Sequence, residues 1–318
     1  MNLFRRVMRW FFLLLGVMAG LITAVAAIFA RRLIHPPRQR LWGTPGDLGL
    51  AYEDIQFPAQ DGVRLSGWFI PAKADSPRHG ATVMLVHGWP WNRLGLTADD
   101  IVSGLDGSKP VDLLRLALAL HRDGYHLLMF DLRNHGESAA AEPVTFGWQE
   151  ANDLLGALTY LNGRSEVNSD RIGAVGFSMG ANAILYALPQ TEMIKAAVAV
   201  QPTSANVYAR RYGANVFGLL GKVVMPLTEL MYQAAGGLRF AALQPAFPAA
   251  GAGQTPVLYV QGEGDRWGSP QDVAEMAART PQAHGPLFTD SLHRFDGYQR
   301  VVDHPELVTN FFEEHLSA

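Results

Sequence analysis

The sequence predicts an α/β protein. The expected architecture is a mostly parallel sheet with helices on both faces, preceded by one transmembrane helix. Three observations carry this. From residue 81 onward, short apolar runs of strand length alternate with longer helix-like segments, a pattern that demands a mostly parallel sheet covered on both sides. Gly176-Phe177-Ser178-Met179-Gly180 stands where one such run, Arg171 to Val175, gives way to the helix formers Ala181 to Leu188. Trp10 to Ala30 is 21 residues without a charge, ~31 Å as a helix and about the thickness of a hydrocarbon core.

The elements follow in order. Arg5, Arg6 and Arg9 precede the apolar span and Arg31 and Arg32 follow it. A cleaved signal peptide has a shorter apolar region and small residues at its end, so the span reads as an uncleaved anchor. Three arginines before it face four after it (Arg31, Arg32, Arg38, Arg40), so charge assigns no orientation. His35-Pro36-Pro37 is a stiff break, and Gly43, Pro45, Gly46 and Gly49 extend it as a linker. The expected division is therefore residues 1–50 as anchor and linker and 51–318 as one folded domain. A fragment of residues 41–318 is expected to be soluble and active.

Tyr52 to Phe57 and Val63 to Ile70 alternate about Gln60-Asp61-Gly62 and read as a hairpin. Thr82 to Val86 is an interior strand ending in His87-Gly88-Trp89-Pro90. Residues 91–110 read as a polar loop, and Val111 to Arg122 as a helix. His126 to Phe130 is the next strand and Trp148 to Leu161 the next helix. Ile172 to Val175, Ile194 to Val200, Val257 to Val260 and Pro286 to Thr289 complete the strands. Ser269-Pro270-Gln271-Asp272 opens a helix with a capping serine and a first-turn proline. Pro305 to Leu316 is a closing helix with Val308, Phe311, Phe312 and His315 on one stripe. Thr203 to Gly253 is an insertion of 51 residues between two strands, rich in apolar residues, with Glu229 its only acid. It reads as a cap over the sheet.

Composition excludes several functions. Of the 26 basic residues seven lie before residue 41, which leaves 19 against 29 acids, a net charge of −10 on the folded part. That argues against nucleic-acid binding. With no cysteine, there is no disulfide, thiolate metal site or cysteine nucleophile. No His/Asp cluster has metal-ligand spacing, so no metal site is expected.

The chemistry centres on Ser178. A strand turning into a helix there forces the serine into a strained, exposed conformation, with a helix N-terminus beside it. Gly176 and Gly180 are read as positions where a Cβ would collide with neighbouring elements. A serine hydroxyl needs a base, and the base an orienting acid. After the strand ending at Val260 the chain reads Gln261-Gly262-Glu263-Gly264-Asp265, which selects Asp265 with Glu263 in reserve. The base must follow the last strand. His293, in the polar stretch Asp290-Ser291-Leu292-His293-Arg294, is the choice and His304 the second. His284 precedes that strand, and His315 ends the final helix. The oxyanion is expected to meet the N–H groups of Met179 and Trp89. His87 and His135 are read as supports for the turns beside the site.

These landmarks together resemble the α/β-hydrolase superfamily. They are His87-Gly88-Trp89-Pro90, Asp131-Leu132-Arg133-Asn134-His135-Gly136-Glu137-Ser138, Gly176-Phe177-Ser178-Met179-Gly180, Gly262-Glu263-Gly264-Asp265 and His293, over about residues 52–317. The chain is similar to its serine aminopeptidase-like and esterase/lysophospholipase-like branches. The resemblance implies an eight-stranded sheet, a helical cap after the sixth strand, hydrolysis and no cofactor. The long loop at 91–110 and the residues before His293 depart from the family pattern. The expectation is a membrane-anchored serine hydrolase cleaving carboxylic esters or related acyl compounds through an acyl-enzyme. Peptidase or thioesterase activity is the alternative within enzymes, and a non-catalytic binding protein of the same fold the alternative outside them. A small-molecule acyl substrate and the membrane are the expected partners.

Overall fold

A computed structural model describes residues 2–78 and 80–316. Eight strands form one sheet: β1 (Glu53–Pro58), β2 (Arg64–Ile70), β3 (Thr82–Val86), β4 (His126–Phe130), β5 (Ile172–Phe177), β6 (Ile194–Val200), β7 (Val257–Gly262) and β8 (Ala283–Thr289). Their spatial order is β1-β2-β4-β3-β5-β6-β7-β8. The β1–β2 hairpin joins antiparallel to β4, and all other pairings are parallel. The central strands β3, β4 and β5 are buried along their whole length, as their continuous apolar runs require.

Successive residues of a strand face opposite sides. Met84 and Val86 therefore pack with Leu154, Leu158, Ile184 and Met276 on one face of the sheet. Val83 and Leu85 pack with Leu116, Leu120, Val301 and Phe312 on the other. The helices covering the first face are α3 (Ala151–Asn162), α4 (Met179–Ala187) and α7 (Pro270–Arg279); those on the second are α2 (Leu113–Arg122), α8 (Arg294–Asp303) and α9 (Glu306–His315). The insertion after β6 forms the cap helices α5 (Ala205–Phe217) and α6 (Gly221–Ala234).

Three expectations change. Residues 91–110 are not a solvated loop throughout: Trp91, Asn92, Arg93 and Leu94 are buried, and Gly95–Leu96 pairs with Val111–Asp112 in a small ribbon. The reason is Asp131, whose carboxylate accepts from the Arg93 backbone N–H at 2.7 Å and from its Nη2 at 2.6 Å. That neutralises a buried guanidinium and straps the loop to the end of β4. A helix absent from the sequence reading, α8, begins directly after His293.

The third change concerns the N-terminal helix α1, which runs Asn2–Ile34. Its side chains are almost all exposed through Leu21, but Ala26, Ala30 and Leu33 are buried. They pack on the cap, where the Thr228 hydroxyl reaches the Ala26 carbonyl at 3.3 Å and Phe29 lies edge-on to Phe217 at 5.1 Å. Arg32 pairs with Asp100 at 3.0 Å. The segment after it is docked too, with Arg38 donating to the carbonyls of Gly136 and Ser138. The cut expected to be harmless, between residues 40 and 41, thus removes packed parts of the domain.

Candidate active site

The carboxyl ends of β3, β5, β6 and β7 converge under the cap, which is where such sheets bind ligands. Ser178 connects β5 to α4 with φ 53° and ψ −112°. This left-handed conformation costs a serine of order 1–3 kcal/mol and is held by its surroundings. A Cβ on Gly176 would lie 2.5 Å from the Ala181 nitrogen, and one on Gly180 would lie 2.2 Å from the Val86 carbonyl oxygen. Only glycine lets strand, turn and helix approach so closely. The Ser178 N–H is tied to the Val200 carbonyl at 2.9 Å.

Met179 opens α4, so its N–H has no intrahelical acceptor. Trp89 follows β3 in a turn closed by Trp91 N–H to the Gly88 carbonyl at 3.0 Å. Neither N–H has a hydrogen-bond partner among the described residues. His87 shapes this turn: its Nδ1 bonds the Gly88 carbonyl at 2.8 Å and its Nε2 accepts from the Leu132 N–H at 3.0 Å. Both ring nitrogens are thereby engaged, and burial holds its pKa below the ordinary value. His135, its ring 5.2 Å away, is also buried, and burial pushes its pKa down to about 3.

Asp265 is buried after β7. Its Oδ1 accepts from the N–H groups of Trp267 and Gly268, both at 2.9 Å, and its Oδ2 from Gln261 at 3.2 Å. The reserve, Glu263, is exposed.

The sequence predicts His293 between Asp265 and Ser178; the structure places Arg294 there. Arg294 Nη1 donates to Asp265 Oδ2 at 2.5 Å, and Nη2 to Ser178 Oγ at 3.1 Å. Nη2 also reaches the Gln201 carbonyl at 2.8 Å and Thr203 Oγ1 at 3.0 Å, and Nε reaches the Tyr298 hydroxyl. Burial disfavours the guanidinium charge, and the Asp265 carboxylate outweighs that, so its pKa is raised. His293 instead caps α8. Its Nδ1 faces the Phe295 N–H at 3.5 Å, its backbone N–H donates to Asp296 at 2.9 Å, and its ring stacks on Phe295 with centroids 5.5 Å apart. Among the described residues it makes no hydrogen bond to Ser178 or Asp265. Burial lowers its pKa from 6.5. His304 pairs with Glu306 at 2.9 Å, while His284 packs on His315.

Arg294 was the residue missed. The signal that could have found it is His293-Arg294-Phe295-Asp296, a cap followed three residues later by an acid. That pattern starts a helix at 294, where a buried arginine needs an anionic partner.

Above Ser178 lies a partly open cavity of about 60 Å³, lined by Trp89, Phe146, Tyr208, Tyr212 and Trp267, with Arg32 and Asp106 also on its wall. The arrangement offers a strained hydroxyl, two free N–H donors, a buried acid and an apolar pocket.

The chain belongs to the alpha/beta hydrolase family, which it matches over residues 83–311. It is 30% identical over 185 residues to the uncharacterized protein YfhR of Salmonella typhi, covering 58% of this chain and 55% of that one. It is 27% identical over 169 residues to the alpha/beta hydrolase domain-containing protein WAV2 of Arabidopsis thaliana, covering 52% and 47%. The chain thus spans about half the length of the curated relatives it matches. Among solved structures, an esterase of Pyrococcus furiosus superposes with a TM-score of 0.67 at 25% identity, covering 90% of this chain and 99% of that one. The acylaminoacyl peptidase of Pyrococcus horikoshii shares the fold, with a TM-score of 0.61 at 16% identity over 84% of this chain and 42% of that one.

Proposed function

We propose that this protein is a serine hydrolase of carboxylic esters or related acyl compounds, held at a membrane by the exposed part of α1. The observation that carries the proposal is Ser178 itself: a left-handed serine at a strand-to-helix turn, lining one cavity beneath the cap with Trp89 and Met179, whose N–H groups have no partner among the described residues. The likeness to the archaeal esterase supports it. Residues 3–21 would span ~28 Å as a helix, and nearly all of their side chains are exposed, which supports the anchor.

The arrangement seen is a resting one. A guanidinium has donors only and keeps its proton, so Arg294 is no base. A hydroxyl accepting from it is not activated. His293, one residue away, completes a triad once its ring leaves Phe295 and displaces Arg294 from between Asp265 and Ser178. Its neutral form then takes the Ser178 proton as Oγ attacks the acyl carbon. The Trp89 and Met179 N–H groups stabilise the oxyanion. Return of that proton to the leaving alcohol yields the acyl-enzyme, and water, deprotonated by the same imidazole, releases the acid and regenerates Ser178.

The test is labelling with a fluorophosphonate alongside hydrolysis of p-nitrophenyl esters. Wild type should react at Ser178, while Ser178→Ala should be inert and His293→Ala nearly so. Equal labelling of the serine mutant removes the proposal. Arg294 in the base's place also favours a second reading, a binding protein that keeps the fold without turnover. Absence of labelling in both wild type and Arg294→Ala would select it.

A further inference from the structure

We infer that the cap and the N-terminal helix together form a channel for one long acyl chain, leading from Ser178 toward the bilayer side of the cap. The inference deepens the hydrolase reading and rests on it for the position of the ester. It names the substrate class as long-chain acyl esters drawn from a membrane.

Three cavities share walls in sequence. The cavity above Ser178 shares Trp89, Phe146, Tyr208 and Tyr212 with a second, smaller one beneath the cap. The second shares Ala209, Met225 and Phe240 with a third, an open groove between α5 and α6. The wall of the middle cavity is apolar, and two of its residues, Phe29 and Leu33, come from α1. The helix that anchors the protein is thus also a wall of the space behind the nucleophile.

The middle cavity is narrow, about 10 Å³, room for about one water, so an alkyl chain passes only when its wall moves. Met225, an unbranched and adaptable side chain, stands at its junction with the groove and widens it by rotating. The outer rim carries Leu219, 83% exposed, with Leu220 and Val223 also exposed nearby. Solvated apolar residues clustered beside a helix that enters a bilayer mark a lipid-facing surface. α6 packs directly along α1, so this rim lies close to where residues 3–21 would leave the hydrocarbon. A chain moving from bilayer to Ser178 by this route passes Arg210, Lys222 and Glu229 at the mouth of the groove and then the apolar wall of the middle cavity. Each methylene it buries is worth up to about fourfold in kcat/KM.

The first test uses the full chain in nanodiscs with palmitic acid bearing a terminal diazirine. Photolysis and peptide mapping should place adducts within residues 22–34 and 205–240, suppressed by excess unlabelled palmitate. Adducts confined to residues 3–21, or insensitive to competition, overturn the channel. This probe needs no turnover. Channel adducts without fluorophosphonate labelling of Ser178 would therefore sink the hydrolase reading alone. The second test compares Leu33→Trp and Ala209→Trp with wild type on p-nitrophenyl laurate and acetate. The laurate-to-acetate ratio of kcat/KM should fall at least tenfold in both. An unchanged ratio in variants that keep the wild-type melting temperature overturns the inference. If neither variant folds, the crosslinking decides.

Discussion

Arg294 is the residue whose removal tests the site most sharply. Its guanidinium is buried and bonded to Asp265, Ser178, Gln201, Thr203 and Tyr298. Arg294→Ala leaves the Asp265 carboxylate buried without its cation. Breaking such a pair from one side costs about 3–5 kcal/mol. Asp265 keeps three donors, from Gln261, Trp267 and Gly268, so the lower end applies. A loss of ~3 kcal/mol corresponds to a fall in melting temperature of roughly 6–12 °C for a domain of this size. Reactivity should move the other way. If exchanging Arg294 for His293 opposes about 3 kcal/mol, the competent arrangement is populated near one part in a hundred. Removing Arg294 lifts that restraint, and Ser178 should label with fluorophosphonate up to ~100-fold faster. The measurement pairs thermal melts with labelling rates, and His293→Ala in the Arg294→Ala background should abolish the gain. A variant that melts like wild type, or labels no faster, refutes the reasoning.

Four further outcomes follow from the same geometry. Ser178→Ala should lower kcat/KM by at least ~10³-fold without changing the melt by more than a few degrees, and retained turnover would place the nucleophile elsewhere. Deleting residues 1–21 should leave a folded domain, whereas deleting 1–40 strips Ala26, Ala30 and Leu33 from the cap and should lower the melting temperature or cause aggregation; size-exclusion chromatography and melts decide, and equal behaviour of the two deletions contradicts the docking. His135, buried with its pKa pushed down to about 3 from 6.5, binds fewer protons folded than unfolded, so stability should fall as pH drops below 6.5, by up to ~1.4 kcal/mol per unit. His135→Gln should flatten that slope, and parallel wild-type and mutant profiles between pH 7 and 5 would show that burial is not the cause. Burial also lowers the His293 pKa, so the acid limb of kcat/KM should lie below pH 6.5; a limb above 7 would argue against His293 as base.

The strand-to-helix turn at Ser178 was legible because its code is local. A buried strand, two glycines around a serine and a helix lie within a few residues, and their sterics allow one geometry. The placement of Asp265 at the same edge of the sheet as Ser178 was legible because parallel topology sends the residues after each strand there. The alternation of apolar runs likewise determined the sheet and its two-faced core.

Tertiary structure decided what depended on distant partners. The buried face of residues 91–94 follows from Asp131, 38 residues beyond Arg93, and polar residues signal a loop until such a partner neutralises them. Residues 22–34 of α1 are as apolar as the exposed stretch before them, so their pattern does not separate burial in a cap from burial in a bilayer. Whether His293 or Arg294 faces Ser178 turns on a single residue of helix start. The Asp296 cap and the Asp265 charge settled it for Arg294, because a buried carboxylate is satisfied best by the cation that long-range folding brings within reach.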